Sequence, residues 1–214
     1  MIETTAHVKQ TRRTFNPKYL AAIVVGLIAV VAAGWFIGKA LRPYVFHGTV
    51  LQSPSPAMNF TLTGHNGQPV ALSDYKGKVV LLYFGYTTCP DVCPTSLAEL
   101  HATLLTLGSQ AKDVQVMMVT VDPERDTEAV MGEYMAHFDA RFIGLTGTPD
   151  QIAQIATNFG VAYARSDADS ALGYLVDHTA TVTAIDRQGY VRVIFPFNTP
   201  AADIAADVEY LLNR

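Results

Sequence analysis

Cysteine is scarce in this chain: two residues in 214, four positions apart, which rules out the disulfide framework that holds small secreted domains together. Cationic surplus is lacking too. With 15 Lys and Arg against 19 Asp and Glu the formal charge is -4, and no basic patch lies beyond the N-terminus, so the chain is not a nucleic-acid binder, whose affinity comes from many phosphate contacts. Charge of either sign is sparse at 16%, while half the residues are hydrophobic. Part of that apolar content is concentrated in one place, and what remains is enough for one folded domain.

The concentrated part is 19–38, YLAAIVVGLIAVVAAGWFIG, which carries no charge and is long enough as a helix to cross about 30 Å of hydrocarbon. Lys9, Arg12, Arg13 and Lys18 precede it, and only Lys39 and Arg42 follow closely. The positive-inside rule therefore predicts a cytoplasmic segment 1–18, an uncleaved anchor at 19–38 and everything later on the outer side. A cleaved signal peptide fits less well, because no A-x-A site with a polar flank follows the apolar run. Residues 39–56, with Pro43, Pro54, Ser55 and Pro56, read as an extended tether, and 57–214 as the folded domain.

Within that domain, 60–62 and 70–72 flank an Asn66-Gly67 turn and predict a hairpin. The runs 78–86 (KVVLLYFGY) and 114–121 (VQVMMVTV) are predominantly apolar, as expected of strands covered on both faces. Between them Leu97, Leu100, Leu104 and Leu107 form a helical stripe stopped by Gly108. Helices are expected at 127–138, 149–159 and 201–212, an irregular segment after 159, and a last hairpin from 181–185 and 190–195 around Asp186-Arg187-Gln188-Gly189. Parallel strands joined through helices, closed by an antiparallel hairpin, make an α/β domain of thioredoxin type: a central mixed sheet with helices on both faces.

Both cysteines lie in Cys89-Pro90-Asp91-Val92-Cys93-Pro94, between the central strand and the leucine-striped helix, at the sheet edge where ligands of open α/β folds bind. Pro94 suits the first helical position, which predicts Cys93 near the helix N-cap with its thiol pKa lowered by unpaired N–H groups. Spacing alone leaves a disulfide, a redox pair and a shared metal all open. Of the six histidines, His7 precedes the anchor, His47 is in the tether, His65 in a turn and His137 late in a helix. His101 is eight residues past Cys93 on a helix, about 12 Å away along the axis and too far to share an ion. His178, just before the antiparallel strand at 181, starts at the edge where the parallel strands end, so it is the candidate third donor, with Asp177 as its neighbour. Two thiolates and one imidazole suit copper better than a closed four-ligand zinc site.

The segment from Phe84 to Pro94, FGYTTCPDVCP, resembles the signature of the Sco/SenC copper chaperones. Gly77-Lys78, the block Val121-Asp122-Pro123-Glu124-Arg125-Asp126-Thr127, and Asp177-His178 are similar to other blocks of that family, and the resemblance spans nearly all of 57–214. It implies that Cys89, Cys93 and His178 ligate one copper ion per chain. It also implies a role in assembling the binuclear copper centre of cytochrome c oxidase subunit II, by copper transfer, by reduction of its cysteines, or both. Other copper chaperones are implied as further partners. The lack of an Arg-rich, Ser-rich amphipathic presequence favours a single-pass protein of a bacterial plasma membrane over one of a mitochondrial inner membrane. A thiol-disulfide oxidoreductase using Cys89 and Cys93 as its redox-active pair, without obligatory copper, is the alternative. C-x-x-x-C in place of C-x-x-C weakens that alternative. Cys93-Pro94-Thr95 is faintly similar to a peroxiredoxin segment, but Pro90 stands where that chemistry needs a threonine. For the Asp122 to Asp126 block the sequence predicts helix capping and ion pairs.

Overall fold

The structure is a computed structural model that describes residues 17–40, 43–51, 53–170 and 173–214. His7, Lys9, Arg12 and Arg13 lie outside these residues. The chain divides into two units, Met1–Val45 and Phe46–Arg214.

In the first unit, α1 (Pro17–Ala40) is one continuous helix. Its window Ala21–Gly38 has a mean hydropathy of 2.4 and buries none of its residues, so by length and composition it can cross a membrane.

In the second unit the order is β1 (Thr49–Val50), β2 (Thr61–Gly64), β3 (Pro69–Ala71), β4 (Val79–Gly85), α2 (Val92–Leu107), β5 (Val114–Thr120), α3 (Glu128–Ala136), β6 (Ile143–Thr146), α4 (Pro149–Asn158), β7 (Tyr163–Ser170), β8 (Gly173–His178), β9 (Val182–Ile185), β10 (Val191–Phe195) and α5 (Ala201–Leu212). Eight strands form one sheet in the order β1-β10-β9-β4-β5-β6-β2-β3, while β7 and β8 pair only with each other. β4 and β5 are buried at every position and run parallel in register from Val79 opposite Val114 to Gly85 opposite Thr120. Runs dominated by Val, Leu, Met and aromatic residues leave neither face fit for water, which is why these two strands occupy the middle. The alternation of β4 then separates the layers. Gly85 faces the Cys93 sulfur in α2, and Phe84, one residue earlier, meets Phe159 at the end of α4 with ring centroids 6.0 Å apart. Leu97, Leu100 and Leu104 of α2 are at most 2% exposed, each stabilising the fold by about 1.5–3 kcal/mol through burial.

Two expectations are corrected here. The irregular segment after 159 is in large part the β7–β8 hairpin. The folded unit also begins at Phe46 rather than 57, because the second half of the expected tether is bound to the domain. Thr49 and Val50 pair with Ile194 and Val193, and Phe46 meets Tyr210 edge-on at 5.2 Å. Gly48 passes so close to Val193 and Phe195 that a Cβ there would collide with both side chains. The deeply buried Asp207 carboxylate accepts from His47 N at 2.9 Å, Gly48 N at 3.0 Å and His47 Nδ1 at 2.9 Å.

That clasp predicts a pH dependence. The hydrogen bond from the ring to Asp207 raises the His47 pKa above its ordinary value of 6.5, outweighing the opposing effect of burial. A histidine whose pKa rises on folding contributes stability that is complete below the unfolded value and is lost as pH climbs through the folded one. Thermal unfolding midpoints measured from pH 5 to 8 are expected to fall across this window. In His47→Ala that part of the fall should vanish; an unchanged profile refutes the assignment.

Candidate metal centre

The cysteine turn takes its shape from three constraints. Pro90 and Pro94 restrict the backbone on either side. Cys89 N donates to Tyr86 O at 3.3 Å, closing the turn off the end of β4. The third constraint is Asp126, which is fully buried and accepts from Thr87 N at 3.0 Å, Thr87 Oγ1 at 2.5 Å and Thr120 Oγ1 at 2.6 Å. Burial pushes its carboxyl up, and the three donors work against that shift. This differs from the expected helix cap. Thr127 caps α3, accepting from Val130 N, and frees Asp126 to turn inward. Asp122 and Arg125 do form the expected ion pair.

Helix α2 starts at Val92, with Asp91 at the N-cap and no side-chain bond there. Cys93 is therefore inside the first turn rather than at the cap, and Pro94 sits where an N–H needs no partner. Consequently the positive helix end serves Cys89, not Cys93: Cys93 N donates to the Cys89 sulfur at 3.4 Å. Both cysteines are free thiols, Cys89 partly exposed and Cys93 fully buried. Donation from the Cys93 thiol, opposed by burial and helped by His178 and the N–H groups of Cys93 and Asp91, pulls Cys89 down to about 3. The same contact with the Cys89 thiolate, together with burial, drives Cys93 above the ordinary thiol range. The pair shares one proton, and the negative charge rests on the sulfur nearer solvent. The lowered pKa expected for Cys93 thus belongs to Cys89.

His178 ends β8, and β9 runs antiparallel to β4 with Val182 opposite Tyr83, so the histidine arrives at the rim where β4 ends. Its Nε2 lies 3.3 Å from the Cys93 sulfur. Its Nδ1 faces the Thr179 carbonyl at 3.3 Å and donates to it, and Nε2 is the nitrogen turned toward the sulfurs. Asp177, weighed as the imidazole's neighbour, does not hold it; Asp177 stands opposite Ala164 in the hairpin. Tyr83 and Tyr86 meet the imidazole edge-on at 6.1 and 5.9 Å and wall the site.

The ligand atoms of Cys89, Cys93 and His178 all lie within 4.8 Å of one another. Metal bonds of about 2.3 Å to sulfur and 2.0 Å to nitrogen fit one ion inside such a triangle. The donors fit a soft or borderline metal, and one of the two sulfurs is open to exchange. The other described histidines have structural partners: His47 with Asp207, His65 Nδ1 accepting from Gly144 N at 3.1 Å, His101 with Asp139 at 3.1 Å, and His137 donating to Glu133 O at 2.6 Å.

The chain is similar in sequence and fold to known proteins. The chain is 38% identical to an SCO2-like protein of Rickettsia felis over 66% of its own length and 70% of that protein. It is 39% identical to the mitochondrial SCO2 homolog of Bos taurus, over 61% of its length and 50% of that protein. Among solved structures, Bradyrhizobium japonicum ScoI with copper bound superposes with a TM-score of 0.67 at 38% identity, covering 73% of this chain and 99% of that one. Apo Sco1 of Thermus thermophilus gives 0.70 at 40%, covering 78% and 98%. The SCO1/SenC family model matches residues 50–213, from the first sheet strand to the end of α5, and the chain belongs to that family.

Proposed function

We propose that this protein is a membrane-anchored copper carrier that holds one ion through Cys89, Cys93 and His178. It serves the assembly of the binuclear copper centre in cytochrome c oxidase subunit II. The observation that carries the reading is the convergence of two sulfurs and one imidazole within 4.8 Å, one sulfur buried and one partly exposed. Copper bound in the B. japonicum, yeast and Arabidopsis relatives supports it. The basic residues before α1 and their scarcity after it favour a cytoplasmic N-terminus and a folded domain outside a bacterial plasma membrane.

Copper is cargo, so the site must let it go. A three-donor shell leaves room for an incoming partner ligand, and Cys89, the more accessible sulfur, is the donor to be displaced first. Cys93 and His178 then retain the ion until the partner's next ligand arrives. The same thiolate supports a second reading, favoured by its low pKa. Cys89 attacks a partner disulfide and Cys93 resolves the mixed disulfide. The partner leaves as a dithiol, its two electrons supplied by closing Cys89–Cys93.

Anaerobic Cu(I) titration of the full-length chain in detergent, against a competing chelator, is expected to give one ion per chain. His178→Ala removes one of three donors and is expected to weaken binding on the order of 100-fold, roughly 3 kcal/mol. Equal affinity in the variant sinks the ligand assignment, and an absence of Cu(I) uptake by the wild type sinks the copper reading.

A further inference from the structure

The hairpin that delivers His178 is not part of the main sheet. β7 and β8 pair only with each other, and a lone two-stranded hairpin is marginal in water unless something packs against it. Its base is tied: Thr179 N donates to Ala162 O at 2.9 Å and Ala162 N to Thr179 Oγ1 at 3.1 Å. Along β8, Tyr174, Val176 and His178 share one face, two residues apart, and this face turns toward the domain, with Val176 only 6% exposed.

Tyr174 is the most heavily engaged of the three. The guanidinium of Arg125 stacks on its ring at 3.7 Å and donates through Nη1 to its carbonyl at 3.0 Å. The Tyr174 hydroxyl donates to Asp122 at 2.7 Å, and Asp122 is the ion-pair partner of Arg125. Arg165 of β7 stacks on the same ring at 3.7 Å, and two guanidinium groups at that distance require opposite faces. Arg125 also reaches over Tyr86, at 5.8 Å, whose ring touches His178. One side chain thus joins the end of β5, the end of β4 and the strand that carries the imidazole.

We propose that Arg125 is a positioning residue for the metal centre: its stack on Tyr174 clamps β8 and so holds the His178 imidazole over the two sulfurs. A planar guanidinium is needed. It stacks on the ring, bonds the carbonyl and pairs with Asp122 at once, whereas a lysine ammonium supplies only the charge. The inference rests on the copper reading for its functional meaning, but its structural half stands independently.

The test uses the full-length chain in detergent, with and without Cu(I). In the metal-free state, Arg125→Ala is expected to speed amide hydrogen exchange across residues 173–178 about tenfold, with exchange in β4 and β5 unchanged. Cu(I) affinity is expected to fall about tenfold, the range of one desolvated stacking contact. In a His178→Ala background the same change should cost nothing further, because the residue acts only through that imidazole. Arg125→Lys retains charge beside the buried Asp122 and guards against simple misfolding; it is expected to follow the alanine variant. The proposal is overturned by unchanged exchange, by an equal affinity loss in the His178→Ala background, or by full rescue with lysine. If the wild type takes up no Cu(I), the copper reading falls, and the exchange rates alone decide the clamp.

Discussion

Serine in place of either Cys89 or Cys93 is expected to abolish useful Cu(I) retention, lowering affinity on the order of a thousandfold or more, about 4 kcal/mol. Serine keeps the size of the side chain but replaces a soft thiolate by a neutral hydroxyl that does not ionise near neutral pH, leaving one sulfur and one imidazole. The two sulfurs are expected to differ in the metal-free state. Cys93→Ala, which unlike serine leaves no hydrogen to donate, removes the donor that contributes most to the low pKa of Cys89, so alkylation of the remaining thiol should need a higher pH than in the wild type. Cys89→Ser leaves a fully buried thiol beside Tyr83, so alkylation should be slow at every pH short of unfolding. Competition titration measures the first effect and the pH dependence of iodoacetamide labelling the second. Retention of Cu(I) within a few-fold of wild type in both serine variants would remove the two sulfurs from the site.

Asp126→Ala carries the largest expected loss of stability, about 3 kcal/mol, or roughly 10 °C in the unfolding midpoint. The substitution strands three donors at once: Thr87 N, Thr87 Oγ1 and the Thr120 hydroxyl, the last in the core. Asp126→Asn keeps the shape and one acceptor oxygen, so it is expected to recover part of the loss. Because Thr87 lies two residues before Cys89, the alanine variant should also bind Cu(I) more weakly than its stability alone explains. Calorimetry of both variants decides it; a midpoint within 2 °C of wild type for Asp126→Ala refutes the anchoring role.

The amino-acid sequence made the centre of this molecule legible and its edges less so. Strands β4 and β5 announce themselves because they are apolar almost from end to end, and the leucine stripe of α2 because its period admits only one face. The hairpin β7–β8 sends no such signal. Tyr163–Ser170, YARSDADS, is polar, pairs with a single neighbour and never enters the main sheet, so neither alternation nor hydrophobicity marks it. β1 is two residues long among prolines, and its seat depends on the absence of a side chain at Gly48, which no local pattern reveals. β6, Ile143-Gly144-Leu145-Thr146, has only four residues, too few for a pattern to mark it. At the site, strand topology made Cys89, Cys93 and His178 candidates by delivering them to one rim, and the resemblance to the Sco/SenC family singled them out as a ligand set. The exchange of roles between the two sulfurs was not, since it turns on the helix starting at Val92 rather than at Pro94. Nor was the inward turn of Asp126, because an aspartate before a threonine and a helix has the same signature whether it caps or anchors.

The antiparallel seat of β9 beside β4 has one more consequence, in the order of events during biogenesis. His178 follows Cys93 by 85 positions, and the imidazole reaches the sulfurs only after β9 has docked on a strand made much earlier. Before that docking, the two sulfurs stand without the imidazole that the folded sheet brings to them. The complete chelate is therefore available to mature molecules alone, and copper, by binding them preferentially, draws the folding equilibrium toward completion by RT ln(1 + [L]/Kd). Loading in this design doubles as a checkpoint on whether the sheet has closed.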